Sequence, residues 1–443
     1  MLMCGKKALA VWSCSLGCPK NRVDSEHLLG SLGVPVKSVS QMAQARMVFI
    51  NTCGFIGPAV QESVRTVVEA VERISHYKRK PLLVVAGCMV GRYGAGELQI
   101  ELPEVDLWLP TREHAQWATR VRDALNLLDE QNDISPYGAG RLLSTGPSYA
   151  WLKVGEGCRH NCAFCTIPSI RGGLVSMPVK ELVTEAKSLL EQGVKEIVLV
   201  AQDLTSWGTD FSQKKDLRYL LDALLPLPGL AWLRLLYLYP TGVTDDLLRY
   251  MRDSGPTLLP YLDIPLQHAH RDILSQMGRP FIANPAKVLE RVRHYLPEAA
   301  IRTTFIVGYP GESGAHFDYL CRFVEEQKFA HMGVFAFHAE EGTKAATLPG
   351  QMEQTEKEHR KDLLMQLQVD ISEAWLAGQV GKTLSVLVDS ANPEWPGLHN
   401  GRVWFQAPEV DGQTYVSGPA VVPGQMLDCE IVEHSVYDLT ALA

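Results

Sequence analysis

The sequence predicts an α/β protein with an amino-terminal parallel-sheet α/β domain, a partial (β/α)6 barrel and a small all-β barrel at the carboxy terminus. Three observations lead to this fold class. Strand-like and helix-like segments alternate over the first 110 residues, and a second alternation with six strand-like segments begins at Tyr149. Such alternation is typical of parallel sheets flanked by helices. After Gly378 the chain changes to short strand-like runs separated by Gly, Pro and Asn, which favours a compact β-barrel.

The length of 443 residues and the apolar content of 46% suffice for about three domains with cores of their own. We expect the amino-terminal domain at 6–125, a polar linker rich in turn-forming residues at 126–148, the (β/α)6 barrel at 149–375 and the β-barrel at 376–443. A long charged helix, predicted at Glu353–Gly378, is expected to bridge the last two domains.

Three cysteines follow the first three predicted strands of the amino-terminal domain. These strands are predicted at Lys7–Ser15, Met47–Thr52 and Pro81–Gly87, with helices at Val23–Leu32 and Ala59–Tyr77 and a further strand at Val105–Pro110. Cys18, Cys53 and Cys88 each come just after one of the first three strands. Because ligand sites gather at the carboxyl ends of parallel strands, these cysteines are able to converge on a three-cysteine site.

The six strand-like segments of the middle region predict an active site at the carboxyl ends of its strands. They lie at Trp151–Val154, Glu196–Val200, Trp232–Leu238, Tyr261–Ile264, Arg302–Val307 and His331–Phe337, with helices between them, among them Val179–Gln192, Asp216–Leu225, Thr244–Asp253 and Gly314–Gln327. The short strands of the last region are predicted at Thr383–Asp389, Arg402–Gln406, Thr414–Val416 and Leu427–Glu433.

A CxxxCxxC motif, formed by Cys158, Cys162 and Cys165, follows the first strand of the middle region. Three thiolates at this spacing are able to hold three corners of a 4Fe–4S cluster and leave the fourth iron open, whereas a ferredoxin-type cluster has four cysteine ligands. A zinc site or three unrelated buried thiols are the alternatives. Zinc sites usually close four ligands with a second cysteine pair, and no CxxC pair occurs elsewhere in the chain. The motif therefore favours an iron–sulfur cluster.

Cys14 forms a CxxxC pair with Cys18, whereas Cys4, Cys321 and Cys429 have no partner at ligand spacing. Of the ten in the chain, Cys14 is predicted to be a core thiol of the first strand, and Cys4, Cys321 and Cys429 are predicted to be structural. The start of the chain lacks an apolar run of signal length, and no stretch of about 18 apolar residues occurs, so we expect a cytoplasmic protein with reduced thiols and no contact with membranes. The net charge of −8 gives no indication of nucleic-acid binding.

The motifs resemble those of the radical S-adenosylmethionine (SAM) superfamily, in which an aromatic residue, here Phe164, precedes the last cysteine of CxxxCxxC. Several further motifs resemble the methylthiotransferase branch. They are Ser15-Leu-Gly-Cys-Pro-Lys-Asn, Asn51-Thr-Cys-Gly-Phe, Gly87-Cys-Met, the segment from Glu156-Gly-Cys to Arg171-Gly, Leu236-Tyr-Leu-Tyr-Pro, Tyr261-Leu-Asp-Ile-Pro-Leu-Gln-His-Ala and Arg302-Thr-Thr-Phe-Ile-Val-Gly-Tyr-Pro-Gly-Glu. The resemblance covers nearly the whole chain.

The resemblance implies an enzyme, a transferase with two 4Fe–4S clusters and SAM as cofactors. Cys158, Cys162 and Cys165 would hold the cluster that binds SAM and releases a 5′-deoxyadenosyl radical, which removes hydrogen from an unactivated carbon. Cys18, Cys53 and Cys88 would hold an auxiliary cluster that supplies the sulfur, and a second SAM would donate the methyl group. A C–H bond of this kind offers no acidic proton, so the cofactor has to carry the difficult step.

SAM contacts are expected from residues that follow two strands of the (β/α)6 barrel. Besides Phe164, the candidates are Gln202, Asp203, Gly308, Pro310, Gly311 and Glu312. Glycines in such a turn allow the backbone to approach a cofactor closely, although an ordinary strand-to-helix turn explains them equally well. Gln267 and His268 are interpreted as structural residues.

Methylthiotransferases of this family act on transfer RNA bases or on an aspartate of a small-subunit ribosomal protein, and the last domain resembles the TRAM module. Residues 376–443 carry Lys382 and Arg402 against eight carboxylates. Because RNA affinity depends on Lys and Arg, this acidic module predicts a basic protein partner and not RNA as its main contact, unless the acidic surface has no partner at all. The motifs Ala407-Pro-Glu-Val-Asp-Gly and Tyr437-Asp-Leu resemble the ribosomal-protein branch, called RimO.

The sequence therefore predicts β-methylthiolation of a ribosomal-protein aspartate. Methylthiolation of a tRNA adenosine derivative is the alternative activity, and a non-catalytic iron–sulfur carrier is the alternative of another class. The expected partners are a small-subunit ribosomal protein, an electron donor of flavodoxin or ferredoxin type, and a sulfur donor.

Overall fold

The computed structural model describes residues 8–127, 140–279 and 284–443. Cys4 and residues 128–139 of the predicted linker lie outside this range. The chain divides into two compact units. Of the described residues, unit 1 comprises those up to Ser144 together with Glu156–His160 and Cys165–Val175, and unit 2 comprises those in Thr145–Gly155, Asn161–Phe164 and Ser176–Ala443.

Unit 1 is built on a five-stranded parallel sheet with the strand order β2-β1-β3-β4-β5. Its strands are β1 (Leu9–Ser15), β2 (Val36–Ser38), β3 (Met47–Thr52), β4 (Leu82–Gly87) and β5 (Leu107–Pro110). Its helices are α1 (Pro19–Gly30), α2 (Gly57–Ser75), α3 (Cys88–Tyr93), α4 (Ala95–Glu101), α5 (His114–Ala124) and α6 (Ile167–Arg171). The prediction of a parallel-sheet α/β domain is confirmed.

Strand β3 shows why helices cover both faces of this sheet. All six of its residues are buried. Phe49 packs in a core cluster with Trp117 on one face, and Val48 packs with Trp108 in a cluster on the other. A parallel strand of this kind is hydrophobic on both sides because crossover helices lie above and below it.

The structure differs from the prediction at the start of α1 and at Cys14 of β1. Helix α1 begins at Pro19 and not at Val23, because Cys18 has an extended backbone and Pro19 fits the first helical position. Cys18 is therefore the residue that caps the helix. The prediction that Cys14 is a core thiol is wrong: its side chain is only half-buried, because the core face of β1 is formed by Leu9 and Val11. Strand β2 and helix α5 were not predicted from the sequence.

Unit 2 contains a six-stranded parallel sheet whose strands follow chain order, as a partial (β/α)6 barrel requires. The strands are β6 (Tyr149–Lys153), β9 (Glu196–Val200), β10 (Trp232–Leu235), β11 (Leu258–Asp263), β12 (Ala300–Val307) and β13 (His331–Ala336); short strands β7 (Gly155–Glu156) and β8 (Val175–Ser176) lie between β6 and β9 in the chain. The helices are α7 (Val179–Glu191), α8 (Leu217–Leu224), α9 (Asp245–Asp253), α10 (Arg271–Gln276), α11 (Pro285–Tyr295), α12 (Gly314–Gln327) and α13 (Gln354–Ala377). The predicted barrel is confirmed.

Unit 2 also contains a closed five-stranded barrel with the order β14-β15-β16-β18-β17. Its strands are β14 (Thr383–Ala391), β15 (Leu398–Val403), β16 (Thr414–Ser417), β17 (Met426–His434) and β18 (Leu439–Leu442). The small all-β barrel is confirmed, but β18, which pairs in parallel with β16, was not predicted. The predicted strand Arg402–Gln406 is wrong beyond Val403, because Gln406 turns back to donate its backbone N–H to Val403 O.

None of the helices among the described residues is both long enough and apolar enough to cross a membrane.

Candidate functional site

Unit 1 brings Cys18, Cys53 and Cys88 together at the carboxyl edge of its sheet. They follow β1, β3 and β4, which are neighbours in the strand order. Asn21 stands three residues after Cys18, and its Oδ1 lies 3.5 Å from Cys88 Sγ. Gly17, at φ +82°, leaves no room for a side chain, since a Cβ there would lie 2.9 Å from Cys53 Sγ. The predicted convergence is therefore observed.

Asn21, a fully buried residue in the first turn of α1, contacts the segments that carry all three cysteines. Its side-chain Oδ1 lies 3.5 Å from Cys88 Sγ, and its Nδ2 donates to Thr52 O, directly before Cys53, at 2.9 Å. Its backbone N–H donates to Cys18 O at 3.0 Å. Asn21 thus fixes the three loops in one arrangement.

Backbone N–H groups lie near two of the sulfurs, and Arg171 lies near the third. The N–H groups of Lys20 and Asn21 act to lower the pKa of Cys18, and those of Gly54 and Phe55 act to lower the pKa of Cys53. Arg171 Nε lies 3.2 Å from Cys88 Sγ. An N–H group aimed at a sulfur stabilises its thiolate form.

Burial acts to raise the pKa of each of the three thiols, and nearby cations and N–H groups oppose it to different extents. At Cys18 burial is outweighed by Lys20, Arg171 and the backbone donors, so the pKa is lowered. At Cys53 burial prevails and the pKa is raised, and at Cys88 burial raises it to about 12 although Arg171 opposes the shift. Cys53 and Cys88 are therefore neutral thiols by themselves, and coordination to a metal centre would deprotonate them.

The side chain of Arg171 is 1% exposed and lies against this cysteine set. Its Nε lies 3.2 Å from Cys88 Sγ, and its Nη2 donates to Asn21 Oδ1 at 2.5 Å. Its Nη1 donates to Glu156 Oε1 at 2.7 Å, and Asp24 Oδ2 lies 3.5 Å away. Burial lowers the pKa of this guanidinium, but Glu156, Cys88 and Asp24 outweigh burial and raise it, so Arg171 stays charged.

Two cysteines of the CxxxCxxC motif, Cys158 and Cys165, belong to unit 1. The backbone N–H of Cys158 donates to Gly172 O at 3.2 Å, and the backbone N–H of His160 lies 3.4 Å from Cys158 Sγ. Gly157 has φ +68°, and a Cβ there would lie 2.1 Å from Gly173 O. The Glu156–His160 segment is thus held by the turn that follows Arg171.

The third cysteine of the motif, Cys162, belongs to unit 2 and has an arginine of its own. Arg279 Nη1 lies 3.8 Å from Cys162 Sγ. The guanidinium also donates to Pro265 O at 2.8 Å and lies 4.5 Å above the centre of the Tyr239 ring. A buried cation therefore accompanies one thiol of this motif, as Arg171 accompanies Cys88.

The predicted SAM contacts that follow β9 lie at the expected edge of the sheet. Gln202 is half-buried and Asp203 is buried. The Asp203 carboxylate accepts hydrogen bonds from the backbone N–H of Thr205 at 2.9 Å and from the hydroxyls of Thr205 and Ser206. It therefore caps the short turn that follows and orders this loop.

The turn after β12 contains Gly308, Pro310, Gly311 and Glu312. Gly308 and Pro310 are buried and Gly311 is exposed. Gly308 has φ +71°, and a Cβ there would lie 2.3 Å from Lys357 Cγ. The carboxylate of Glu312, itself buried, accepts from the backbone N–H of Gly308 at 3.2 Å and from Arg360 Nη1 at 2.7 Å. Two strands separate β9 from β12 in the sheet, so this turn and the Asp203 turn are not on neighbouring strands. Phe164 is half-buried in unit 2.

Cys18, Cys53 and Cys88 fit a 4Fe–4S cluster with three protein ligands. They are free thiols that follow three neighbouring strands of one sheet, with N–H groups near their sulfurs, and thiolates so placed are able to bind three irons of one cluster. Sequence reasoning missed Asn21, Arg171 and Arg279 as parts of the sites. Asn21 and Arg171 stand inside the motifs Ser15-Leu-Gly-Cys-Pro-Lys-Asn and Arg171-Gly, which is the signal that could have found them; Arg279 has no such signal.

Comparison with known proteins decides the family. The chain is 59% identical to the ribosomal protein uS12 methylthiotransferase RimO of Nitratidesulfovibrio vulgaris strain Hildenborough over 98% of this chain and 100% of that protein. The chain belongs to the RimO family. Proteins of the same name from Oleidesulfovibrio alaskensis and Anaeromyxobacter sp. strain K are 58% and 42% identical, over 98% of this chain and 100% and 92% of theirs.

Three family descriptions match successive parts of this RimO-family chain. Residues 10–110 match the uncharacterized protein family UPF0004, residues 152–324 match the radical SAM superfamily, and residues 380–443 match the TRAM domain. Among solved structures, the radical SAM methyltransferase TsrM of Kitasatospora setae with cobalamin and a 4Fe–4S cluster is similar in fold, with a TM-score of 0.54 and 13% identity over 89% of this chain and 81% of that one.

Membership of the RimO family confirms several predictions. The chain is a transferase, a radical SAM methylthiotransferase, and its cofactors are two 4Fe–4S clusters and SAM. The resemblance stated from the sequence motifs is confirmed over nearly the whole length of the chain.

Proposed function

We propose that this enzyme β-methylthiolates an aspartate of ribosomal protein uS12, with sulfur inserted at the auxiliary cluster and a second SAM as the methyl donor. When bound, the clusters and SAM supply the one-electron chemistry that activates the C–H bond and the sulfur that replaces its hydrogen. The observation that carries the proposal is the convergence of Cys18, Cys53 and Cys88 in a chain that also carries a CxxxCxxC motif.

We assign the ligands of the two clusters from these two sets. Cys18, Cys53 and Cys88 would hold the auxiliary cluster, supported by the N–H groups near their sulfurs. Cys158, Cys162 and Cys165 would hold the cluster that binds SAM, supported by the spacing of the motif and by Arg279 beside Cys162. Around SAM we propose contacts from Phe164, Gln202, Asp203, Gly308, Pro310, Gly311 and Glu312.

The names of the relatives and the charge of the β14–β18 barrel support the ribosomal-protein substrate. Five carboxylates of this barrel are exposed against a single exposed lysine, Lys382: Glu394, Glu409, Asp428, Glu430 and Glu433. The barrel's arginine, Arg402, is buried and paired with Asp389 and Glu196. The surface that the barrel offers is therefore acidic, which suits a basic protein and opposes RNA.

Further parts of the proposal follow from this reaction. It requires an electron donor, for which a protein of flavodoxin or ferredoxin type is suitable, and a sulfur donor. A ribosomal substrate places the enzyme in the cytoplasm. The division into 6–125, 126–148, 149–375 and 376–443 is our proposal for its domain boundaries.

Mass spectrometry of purified uS12 after anaerobic reaction with the enzyme, SAM and reductant tests this function. We expect one methylthio group on an aspartate, and we expect Cys88→Ala to abolish it. Cys321→Ala is the matched control, because Cys321 is a half-buried thiol on α12 that belongs to neither cysteine set, and it should leave the product unchanged. A methylthio group on tRNA and none on uS12 would identify the enzyme as a tRNA methylthiotransferase. Failure to form 5′-deoxyadenosine would favour an iron–sulfur carrier.

A further inference from the structure

Arg171 occupies a position in unit 1 that its place in the sequence does not suggest. It ends α6, six residues after Cys165 of the CxxxCxxC motif, yet its side chain reaches the other cysteine set. The guanidinium is held from three sides by Asn21, Glu156 and Cys88. A planar guanidinium is suited to several fixed partners at once, whereas a lysine ammonium is not.

We propose that Arg171 is a positioning residue that sets the reduction potential of the auxiliary cluster by donating Nε–H to the Cys88 sulfur and by offsetting the charge of the three thiolates. This inference rests on the proposed function through the assignment of Cys18, Cys53 and Cys88 as cluster ligands. Hydrogen bonds to the sulfurs and the net charge of the site are the two quantities by which a protein tunes such a cluster.

The sign of the effect follows from charge. A reduced cluster carries one more negative charge than an oxidised one, so a nearby cation stabilises the reduced form. Arg171 Nε lies 3.2 Å from the sulfur, and the Arg171 side chain is only 1% exposed, so solvent screens this interaction little. Asp24 and Glu156 hold the guanidinium in its charged form, and both remain when Arg171 is replaced, so the variant reports the loss of the guanidinium alone.

The same residue connects the two cysteine sets within unit 1. Glu156, which pairs with Arg171, stands two residues before Cys158, and Gly172, which follows Arg171, accepts a hydrogen bond from Cys158 N. A substitution that only loosened this turn would therefore disturb Cys158 as well as Cys88. A change in the auxiliary cluster alone would show that the guanidinium acts on Cys88.

The test is a redox titration of the anaerobic, fully loaded enzyme, followed by electron paramagnetic resonance, with the two clusters distinguished by the response of one of them to SAM. We expect Arg171→Gln to lower the potential of the auxiliary cluster by at least 59 mV, which is a tenfold change in the one-electron reduction equilibrium. Arg171→Lys keeps the charge without the fork geometry, so its shift should be in the same direction and smaller.

Arg112→Met is the matched control. Arg112 is exposed and donates to Pro168 O and Ser169 O of the same helix α6, but it does not act on a cysteine sulfur. It should leave both potentials unchanged. Unchanged potentials of the auxiliary cluster in Arg171→Gln and Arg171→Lys would overturn the proposal. If Arg171→Gln does not load its clusters, an unchanged potential in Arg171→Lys would by itself overturn the proposal.

An unchanged potential in the Arg171 variants has to be distinguished from a wrong assignment of the cluster ligands. Iron analysis makes this distinction. The full-length variant Cys18→Ala/Cys53→Ala/Cys88→Ala should lose half of its iron and keep the cluster that responds to SAM. Retention of all its iron would overturn the ligand assignment, and with it the proposal for Arg171. Loss of half the iron together with an Arg171-independent potential would overturn the proposal for Arg171 alone.

Discussion

Asp411 of the β14–β18 barrel and Arg302 of β12 form an ion pair, with 3.3 Å between Asp411 Oδ1 and Arg302 Nε. The Asp411 side chain is 1% exposed. It also accepts a hydrogen bond from the hydroxyl of Tyr261 on β11 at 2.6 Å and from the backbone N–H of Ala407 at 2.8 Å. One carboxylate thus ties the barrel to two strands of the six-stranded sheet.

Asp411→Asn should weaken this connection. The substitution leaves the partly buried Arg302 with Asp263, 3.4 Å away, as its remaining carboxylate, so we expect a loss of about 2 kcal/mol. Hydrogen–deuterium exchange should accelerate in peptides that cover Ala407 and β12. The control is Asp428→Asn, an exposed carboxylate of the same barrel that pairs with Ser385 Oγ; its effect should stay within about 0.5 kcal/mol. Equal exchange in the two variants would contradict the role of Asp411.

Asp411 also shows which property of a charged residue could not be predicted from the sequence. Asp411 and Asp389 were counted as surface charges of an acidic barrel, but Asp411 is buried against Arg302, and Asp389 pairs with the buried Arg402. Composition gives the charge of a segment, whereas the partner of each charge depends on contacts between residues far apart in the chain. Strand β3 could be predicted with its correct bounds because the apolar run Met47–Ile50 that begins it is recognised from local sequence alone.

The candidate site likewise has one part that could be predicted from the sequence and one part that could not. The convergence of Cys18, Cys53 and Cys88 could be predicted because adjacent parallel strands end at one edge. Arg171 could not be assigned to Cys88, which lies 83 positions earlier, because no local pattern relates the two residues. Cys14, four residues before Cys18, has the spacing of a ligand pair, yet it lies on the strand and only Cys18 caps the helix.

Stability should fall as the pH drops below about 6.5, the ordinary pKa of histidine, in part because of His268. Burial lowers the pKa of this fully buried imidazole, although Glu312, 3.4 Å away, opposes the shift. The backbone N–H of His270 donates to Nδ1 at 2.9 Å, which leaves no room for a proton there. The native state therefore binds fewer protons than the unfolded chain between its lowered pKa and about 6.5, so stability is lost as the pH falls through that window.

Thermal unfolding under anaerobic conditions between pH 7.5 and 5.5 measures this dependence. Each such histidine contributes at most about 1.4 kcal/mol per pH unit, and His268→Asn should reduce the slope. His76→Gln, at an exposed position after α2, should leave the slope unchanged. An identical slope in wild type and His268→Asn would contradict the assignment.

Gly308→Ala should destabilise the turn after β12 for two reasons. Its φ of +71° costs an alanine about 1–2 kcal/mol, and the new Cβ would lie 2.3 Å from Lys357 Cγ, which adds about 1–3 kcal/mol of overpacking. Gly342→Ala is the matched control, because Gly342 has φ +82° with no atom within 4 Å of the added Cβ. Calorimetry should show the larger loss for Gly308→Ala, and Lys357→Ala in the same chain should recover part of it. Equal losses at both glycines would show that Lys357 does not matter.

Reversal of exposed charges on β17 should slow the association of uS12 with the enzyme. Asp428 and Glu430 are exposed and lie opposite Ser385 and Thr383 of β14, so they present two carboxylates on one surface of the barrel. Steering by complementary charge acts on the association rate and weakens with salt. In Asp428→Lys/Glu430→Lys we expect association at low ionic strength to be about tenfold slower and the salt dependence to be smaller. The control, Glu97→Lys/Glu101→Lys, changes the net charge equally at exposed positions of α4 in unit 1. Equal slowing by both variants would mean that net charge, and not the barrel surface, attracts the substrate; tighter tRNA binding without any change for uS12 would argue against the barrel as its docking surface.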